Sequence, residues 1–299
     1  MPAFFLMATF CITGSGGFVG RALAAHLAAP FQALRLSGDD WAEQIARADF
    51  RDATVFHLAA RVHDESSDSD AFVRDNAEKT RMLATAARES GARRFVFLST
   101  IKVNGEETDG RPFTSSDAPN PQDAYARSKW EAERLLAAVD GLDHVIVRSP
   151  LVYGSGAKGN LRSLMHLADS PWPLPFAAIR NRRSFVHVDD LARLLVECAK
   201  HAKAAGQTIL AAHGSPFSTA ELISEMRASF GRPARLFGVA PRVLELASSV
   251  AGAGKKMRRM TRSLEVDSEG AERLLGWTAQ IGLRPAVEDM ARAYAQERA

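Results

Sequence analysis

Tyr125 and Lys129 stand four residues apart in the run PNPQDAYARSKWEAERLLAAV, where an amphipathic helix begins. Residues i and i+4 share a helix face, so the ammonium approaches the phenol, and a nearby positive charge favours phenolate over phenol. Such a pair has the makings of a general base. An isolated Tyr-x-x-x-Lys also describes an ordinary helix surface with a solvated lysine, because short patterns recur by chance. The rest of the chain has to say what would be brought to the pair and what would hold it.

A second pattern lies near the start. ATFCITGSGGFVGRALAAHLA reads as a buried strand, a glycine turn and a helix, with Gly14, Gly17 and Gly20 spaced along the turn. Glycines let the backbone turn tightly and approach a pyrophosphate, while the helix N-terminus offers unpaired N–H groups and the positive end of a dipole. The flanking strand and helix supply the context that a lone glycine pattern lacks.

The apolar runs QALRLS, ATVFHLAA, ARRFVFLST and DHVIVRS then alternate with helical patterns near residues 41–48, 69–90 and 122–139. That alternation predicts an α/β fold, a Rossmann-type doubly wound parallel sheet with ligand at the carboxyl ends of its strands. His57 ends one of those strands and, as an isolated histidine, reads as a packing residue. Ser99-Thr100 and Arg148-Ser149 end the next two on the same rim.

At 299 residues the chain is long enough for one large domain or two smaller ones, and 46% hydrophobic with 24% charged residues is the composition of a soluble globular protein. Cys11 and Cys198 form neither a disulfide framework nor a metal-ligand cluster, so no metal site is expected and a reducing, cytoplasmic location is. The apolar start MPAFFLMATF lacks a basic leader and runs into the glycine turn, so it reads as a first strand with Met7 as a candidate natural start. No apolar run approaches the roughly 20 residues of a membrane span. The net charge of +3 is modest, and basic residues gather in RNRR (Arg180 to Arg183) and KKMRRMTR (Lys255 to Arg262). Nucleic-acid binders spread a larger basic surface with aromatics among it, whereas compact clusters suit small phosphorylated ligands. Either cluster alone also reads as solvated surface charge.

Thr13-Gly14-x-x-Gly17-Phe18-x-Gly20, His57-Leu58-Ala59-Ala60, Ser99-Thr100 before Val103-x-Gly105, and Tyr125-x-x-x-Lys129 follow in an order that resembles the extended short-chain dehydrogenase/reductase family of nucleotide-sugar epimerases, dehydratases and ketoreductases. Arg148-x-Pro150-x-Val152-Tyr153-Gly154, Gly159-Asn160, Arg183 to Asp190 (RSFVHVDD) and the late LLGW continue the likeness over nearly the whole chain. The resemblance implies a dinucleotide-binding domain over 7–150 plus 184–206, and a smaller substrate domain over 151–183 plus 207–299. It implies that Tyr125 exchanges a proton with a sugar hydroxyl, that Lys129 lowers its pKa and holds the nicotinamide ribose, and that Thr100 shares the hydrogen bond at the reacting oxygen. It places Gly14, Gly17, Phe18, Val19, Gly20, Arg35, Ser37, Leu58, Ala59, Ala60, Asn76 and Ser99 at the cofactor together with Tyr125 and Lys129. Thr100, Lys102, Asn160, Leu161, Arg183 and Arg259 fall to the substrate. Asn76 also reads as a plain helix-surface residue. Phe185 reads as core, and His187 and Asp190 as anchors of a strand-to-helix junction.

Three departures narrow the chemistry. Family dehydratases carry an Asp-Glu pair after the catalytic threonine, but Ile101 and Lys102 stand there, and an isoleucine cannot move a proton. The second strand ends in LRLSGDD, with Ser37 where NAD-preferring relatives have an acid and Arg35 nearby. That admits a 2′-phosphate and favours NADP over NAD, with Asp39 the remaining possible NAD ligand. Only about 20 residues separate Ser37 from His57, room for one helix and one strand, so the family's usual edge strand is expected to be missing. Leu151 replaces the asparagine that several relatives place two residues before Tyr153, which questions sugar-hydroxyl recognition. The expected reaction is hydride transfer at C4 of a UDP-linked sugar, reduction of a UDP-4-keto-6-deoxy-N-acetylhexosamine of the UDP-N-acetylquinovosamine type. The alternatives are a UDP-glucose or UDP-N-acetylglucosamine 4-epimerase and, remotely, a non-catalytic NADP sensor. A homodimer through Leu83, Leu135 and Leu136 is a further expectation.

Overall fold

The computed structural model describes residues 10–62, 69–157 and 159–298. The proposed start at Met7 lies outside them. In chain order the front elements are β1 (Phe10–Thr13), α1 (Phe18–His26), β2 (Phe31–Leu34), α2 (Trp41–Arg47), β3 (Thr54–His57), α3 (Ser69–Phe72), α4 (Lys79–Glu89), β4 (Arg94–Thr100), α5 (Ala124–Ala137) and β5 (His144–Ser149). They continue with β6 (Leu151–Tyr153), α6 (Asn160–Ala168), β7 (Phe185–His187), α7 (Val188–Lys200), β8 (Thr208–Leu210) and α8 (Thr219–Ser229). The chain finishes with α9 (Pro241–Val250), α10 (Gly254–Thr261), α11 (Glu269–Leu275) and α12 (Leu283–Gln296).

Six parallel strands form one sheet in the order β2-β1-β3-β4-β5-β8. A parallel sheet covered on both faces needs apolar residues at consecutive positions, and HVIVRS and RFVFLST supply them without alternation. Ile12, Phe56, Val96, Val145 and Val147 face one packed layer with α1 and α7, and Cys11, Val55, Phe95, Phe97 and Ile146 face the other with α2, α4 and α5. Each such side chain, fully buried, contributes about 1.5–3 kcal/mol. Among the described residues β2 ends the sheet, with only α2 between it and β3, as the short spacing from Ser37 to His57 implied. The sheet also runs past the boundary expected at residue 206, because Thr208–Leu210 pairs with Ile146–Arg148.

The back part packs around Tyr153, Phe185, Phe217, Met226 and Val287 beside a short β6–β7 ladder. Phe185 is core, stacked on Phe217 with ring centroids 4.2 Å apart. His187 caps α7 by accepting the Asp189 N–H, and fully buried Asp190 accepts the Gln280 and Ile281 N–H groups. Those bonds tie the approach to α12 onto the helix that covers the sheet. Leu83 and Leu136 are wholly buried inside the sheet's helical layer, so neither is available to a second copy, and Leu135 alone of the three is partly exposed. Their helical spacing placed them on the core face rather than the outer one.

Candidate active site

The glycine turn is built by contact, not by composition alone. Gly14 has φ +74°, and a Cβ there would meet the Ala59 nitrogen at 2.8 Å; a Cβ on Gly20 would sit 2.1 Å from the Gly14 carbonyl oxygen. Both contacts are to backbone, which has nowhere to move. The Thr13 hydroxyl closes the same junction from below, accepting the Leu58 and Ala59 N–H groups at 3.2 Å. Gly17 caps α1 without any side-chain bond, and no acidic residue occupies the first turn. The N–H groups and positive dipole there stay open to a diphosphate, which Phe18, Val19 and the exposed Gly17 would border.

His57 belongs to this scaffold. Its Nδ1 lies 2.6 Å from Thr13 Oγ1 and its Nε2 2.9 Å from Thr80 Oγ1. Because the Thr80 hydroxyl donates to the Asn76 carbonyl at 2.6 Å, it must accept from Nε2–H, and Nδ1 then accepts from Thr13. Burial, with Lys129 nearby, drives the His57 pKa down to about 3 and keeps the ring neutral. His57 packs and hydrogen-bonds rather than doing chemistry.

The catalytic candidates meet at the carboxyl end of β4. Asp123 caps α5, its Oδ1 accepting the Ala126 N–H at 2.7 Å, which aims the first turn and Tyr125 toward Thr100. The Thr100 hydroxyl lies near enough to the Tyr125 phenol to favour its ionised form. Lys129 is 1% exposed, with its Nζ 3.8 Å from the centre of the Phe97 ring. The lysine does not pull the phenol down as the sequence led us to expect. Burial pushes the Tyr125 pKa up and Asp123 adds to it, against the help of Thr100, while burial lowers Lys129 to about 7 against the pull of Glu133. Desolvation disfavours both charges, and it outweighs the help that Thr100 gives the one and Glu133 the other.

Beneath this pair runs a buried polar chain that the motifs did not disclose. Glu133, one turn beyond Lys129, accepts from Ser99 Oγ at 2.5 Å and from the Arg148 guanidinium at 2.6 to 3.2 Å. Arg148 also donates to Asn104 at 2.9 Å. The Ser99 side chain therefore holds Glu133. The i, i+4 spacing of Lys129 and Glu133 was the available signal. Asn76 sits in a π-helical stretch, Val73–Glu78, and its amide brackets Arg61 N and O at 2.8 and 3.0 Å and donates to Ser128 at 2.9 Å. With both N–H bonds engaged and the side chain buried, Asn76 fixes the backbone at Arg61, just after Leu58–Ala60, against α5, so the surface reading fails.

At the end of β2, Arg35 and Ser37 are exposed, as is Asp39. Lys79 donates to the Leu36 carbonyl at 2.9 Å, and Lys79 and Arg61 both pair with Asp75, which holds its carboxyl below the usual range despite burial.

On the other side of Tyr125, Lys102 donates to Asp123 at 2.5 Å and to Glu106 at 3.1 Å. Arg259 approaches the same two carboxylates at 3.7 and 3.4 Å. Arg183 donates to the Arg262 carbonyl, and burial with neighbouring Arg259 lowers its pKa to about 10. Lys102, Arg183 and Arg259 thus converge from three distant segments on one patch able to bind an anion. Asn160 is exposed at the start of α6, whereas Leu161 is 3% exposed and packs with Tyr153 and Met165. Leu161 is therefore a core residue, because it falls on the inward stripe of an amphipathic helix. Among the described residues no cluster of three or more His, Cys, Asp or Glu could hold a metal ion.

The profile of the NAD dependent epimerase/dehydratase family matches residues 10–212. A UDP-glucose 4-epimerase of Vibrio cholerae is 35% identical over 311 residues, 95% of each chain. MoeE5, solved in complex with UDP-glucose and NAD, is similar with a TM-score of 0.74 at 25% identity, covering 97% of this chain and 99% of that one. RMD from Pseudomonas aeruginosa, solved with NADPH, shares the fold with a TM-score of 0.77 at 20% identity, covering 97% and 99%.

Proposed function

This chain belongs to the NAD dependent epimerase/dehydratase family, and we propose from that premise that it is a nucleotide-sugar oxidoreductase acting at C4 of a UDP-linked sugar. The reaction we favour is reduction of a UDP-4-keto-6-deoxy-N-acetylhexosamine. A bound nicotinamide supplies or accepts the hydride. Tyr125, kept as a phenol by burial, gives its proton to the C4 oxygen while Thr100 orients that oxygen. Lys129 and the glycine turn hold the cofactor, and the Lys102–Arg183–Arg259 patch holds the substrate's diphosphate, for which guanidinium forks are suited. Ile101 and Lys102 leave no acid-base pair for dehydration.

The observation that carries this reading is the placing of Tyr125, in the turn capped by Asp123, beside the anion patch whose Lys102 and Arg259 reach that same Asp123. A protonated phenol is the form a reductase needs, since reduction consumes a proton. Exposed Arg35 and Ser37 at the end of β2 favour NADP over the NAD that Asp39 could serve, because Ser37 brings no carboxylate to repel a 2′-phosphate. The second reading is 4-epimerisation, favoured by the extent of likeness to the Vibrio cholerae enzyme. Denaturing fresh protein and identifying released nucleotide, then titrating NADPH and NADH, separates them. Empty protein with tighter NADPH binding and turnover of a 4-keto sugar nucleotide supports the reductase. Retained NAD with interconversion of UDP-N-acetylglucosamine would replace it by the epimerase.

A further inference from the structure

The α9–α10 hairpin has an inner face and an outer one. Inside, Leu244, Met257 and Met260 pack against the cluster of Leu174, Phe176 and Ile179, and Glu245 pairs with Arg262. Outside, α9 presents Val243, Leu246 and Val250 at 56, 71 and 87% exposure, with Phe237 just before the helix at 48%. Positions i, i+3 and i+7 share one face, so these side chains form a continuous apolar ridge. The chain then turns through Ala251–Ala253 into α10, where Lys255 and Lys256 are exposed shortly after Val250 in the chain. No acidic side chain pairs with either lysine among the described residues. Arg242, exposed at the other end of the ridge, carries a third such charge.

We propose that this outer face docks on the surface of an anionic lipid bilayer. An apolar stripe bordered by unpaired cations matches the boundary between acyl chains and acidic headgroups, where the stripe is buried and the lysine stems reach back to phosphate. A second copy of the chain fits less well, since a two-fold contact through this ridge would set Lys255 and Lys256 against the same charges of its partner. No helix of the described residues is long and apolar enough to cross a membrane, so attachment is peripheral. Arg259, on the same short helix as the two lysines, belongs to the anion patch beside Tyr125. Docking therefore seats the helix that carries Arg259 on the bilayer.

Co-sedimentation of the full chain with vesicles of phosphatidylcholine, with and without phosphatidylglycerol, tests this. Binding is expected only where phosphatidylglycerol is present, and added salt should release it. K255Q/K256Q should lower the partition coefficient roughly 25-fold, at about fivefold per lysine. L246S/V250S should abolish binding while leaving turnover of a soluble sugar nucleotide unchanged. Absence of binding to the acidic vesicles, or binding that neither variant weakens, overturns the proposal. So does a dimer by light scattering that L246S/V250S dissociates, which would assign the ridge to a second copy. The vesicle assay needs no catalysis, so an inactive protein that binds acidic vesicles refutes the functional reading and leaves this one standing.

Discussion

Lys102 donates to the carboxylate of Asp123 at 2.5 Å, and Asp123 is the residue that caps the helix carrying Tyr125. One side chain thus links the anion patch to the acidity of the phenol. Burial resists the charge on Asp123, yet the bonds from Lys102 and Ala126 hold its carboxyl below its usual range.

Lys102→Met should leave that negative charge less compensated and push the Tyr125 pKa further up. Asp123→Asn keeps a capping oxygen while removing the charge, and should bring it down. The alkaline limb of the kcat profile, where the phenol ionises, should move in opposite directions in the two variants. Equal or unmoved limbs would separate Asp123 from the tyrosine's titration.

Tyr125→Phe removes the transferable proton without altering the ring's edge contact with Phe72, whose centroid is 6.5 Å away. Turnover should fall by roughly 10²- to 10⁴-fold with cofactor affinity little changed. Lys129→Met should lose both turnover and cofactor affinity. At or below neutral pH it should also unfold later in urea, because a lysine whose pKa is depressed to about 7 is destabilising wherever it must be charged.

Glu133→Gln leaves the 4%-exposed Arg148 guanidinium without its countercharge. Urea unfolding should show a loss of about 3–5 kcal/mol, partly recovered in Glu133→Gln/Arg148→Met. A loss below about 1 kcal/mol would mean that Asn104 and Ser99 suffice to hold Arg148 and its surroundings.

His57 makes stability acid-sensitive. Its pKa is about 3 when folded and 6.5 when free, so below 6.5 the unfolded chain takes up a proton that the folded one refuses. Stability should fall as pH drops from 6.5, by about 2 kcal/mol at roughly pH 5, in excess of a His57→Asn variant measured alongside. Parallel pH profiles for the two proteins would assign the acid loss elsewhere.

Sequence alone determined the parallel sheet, the glycine turn, the short β2-to-β3 connection with its single helix and the place of Tyr125, Lys129 and Thr100. Each of these is a local matter: a run of apolar residues long enough for a strand, a glycine where backbone approaches backbone, two side chains one helical turn apart. Sequence also read Phe185, His187 and Asp190 correctly, since a strand that runs straight into a helix fixes what its last residues do. Tertiary structure decided what surrounds those groups. It turned Leu161, Leu83 and Leu136 inward, engaged Ser99 with Glu133, and assembled Lys102, Arg183 and Arg259 from segments separated by dozens of residues. It also reversed the expected pKa logic of the pair. Spacing reveals that an ammonium lies near a phenol, but only burial, which belongs to the packed whole, sets the cost of charging either one.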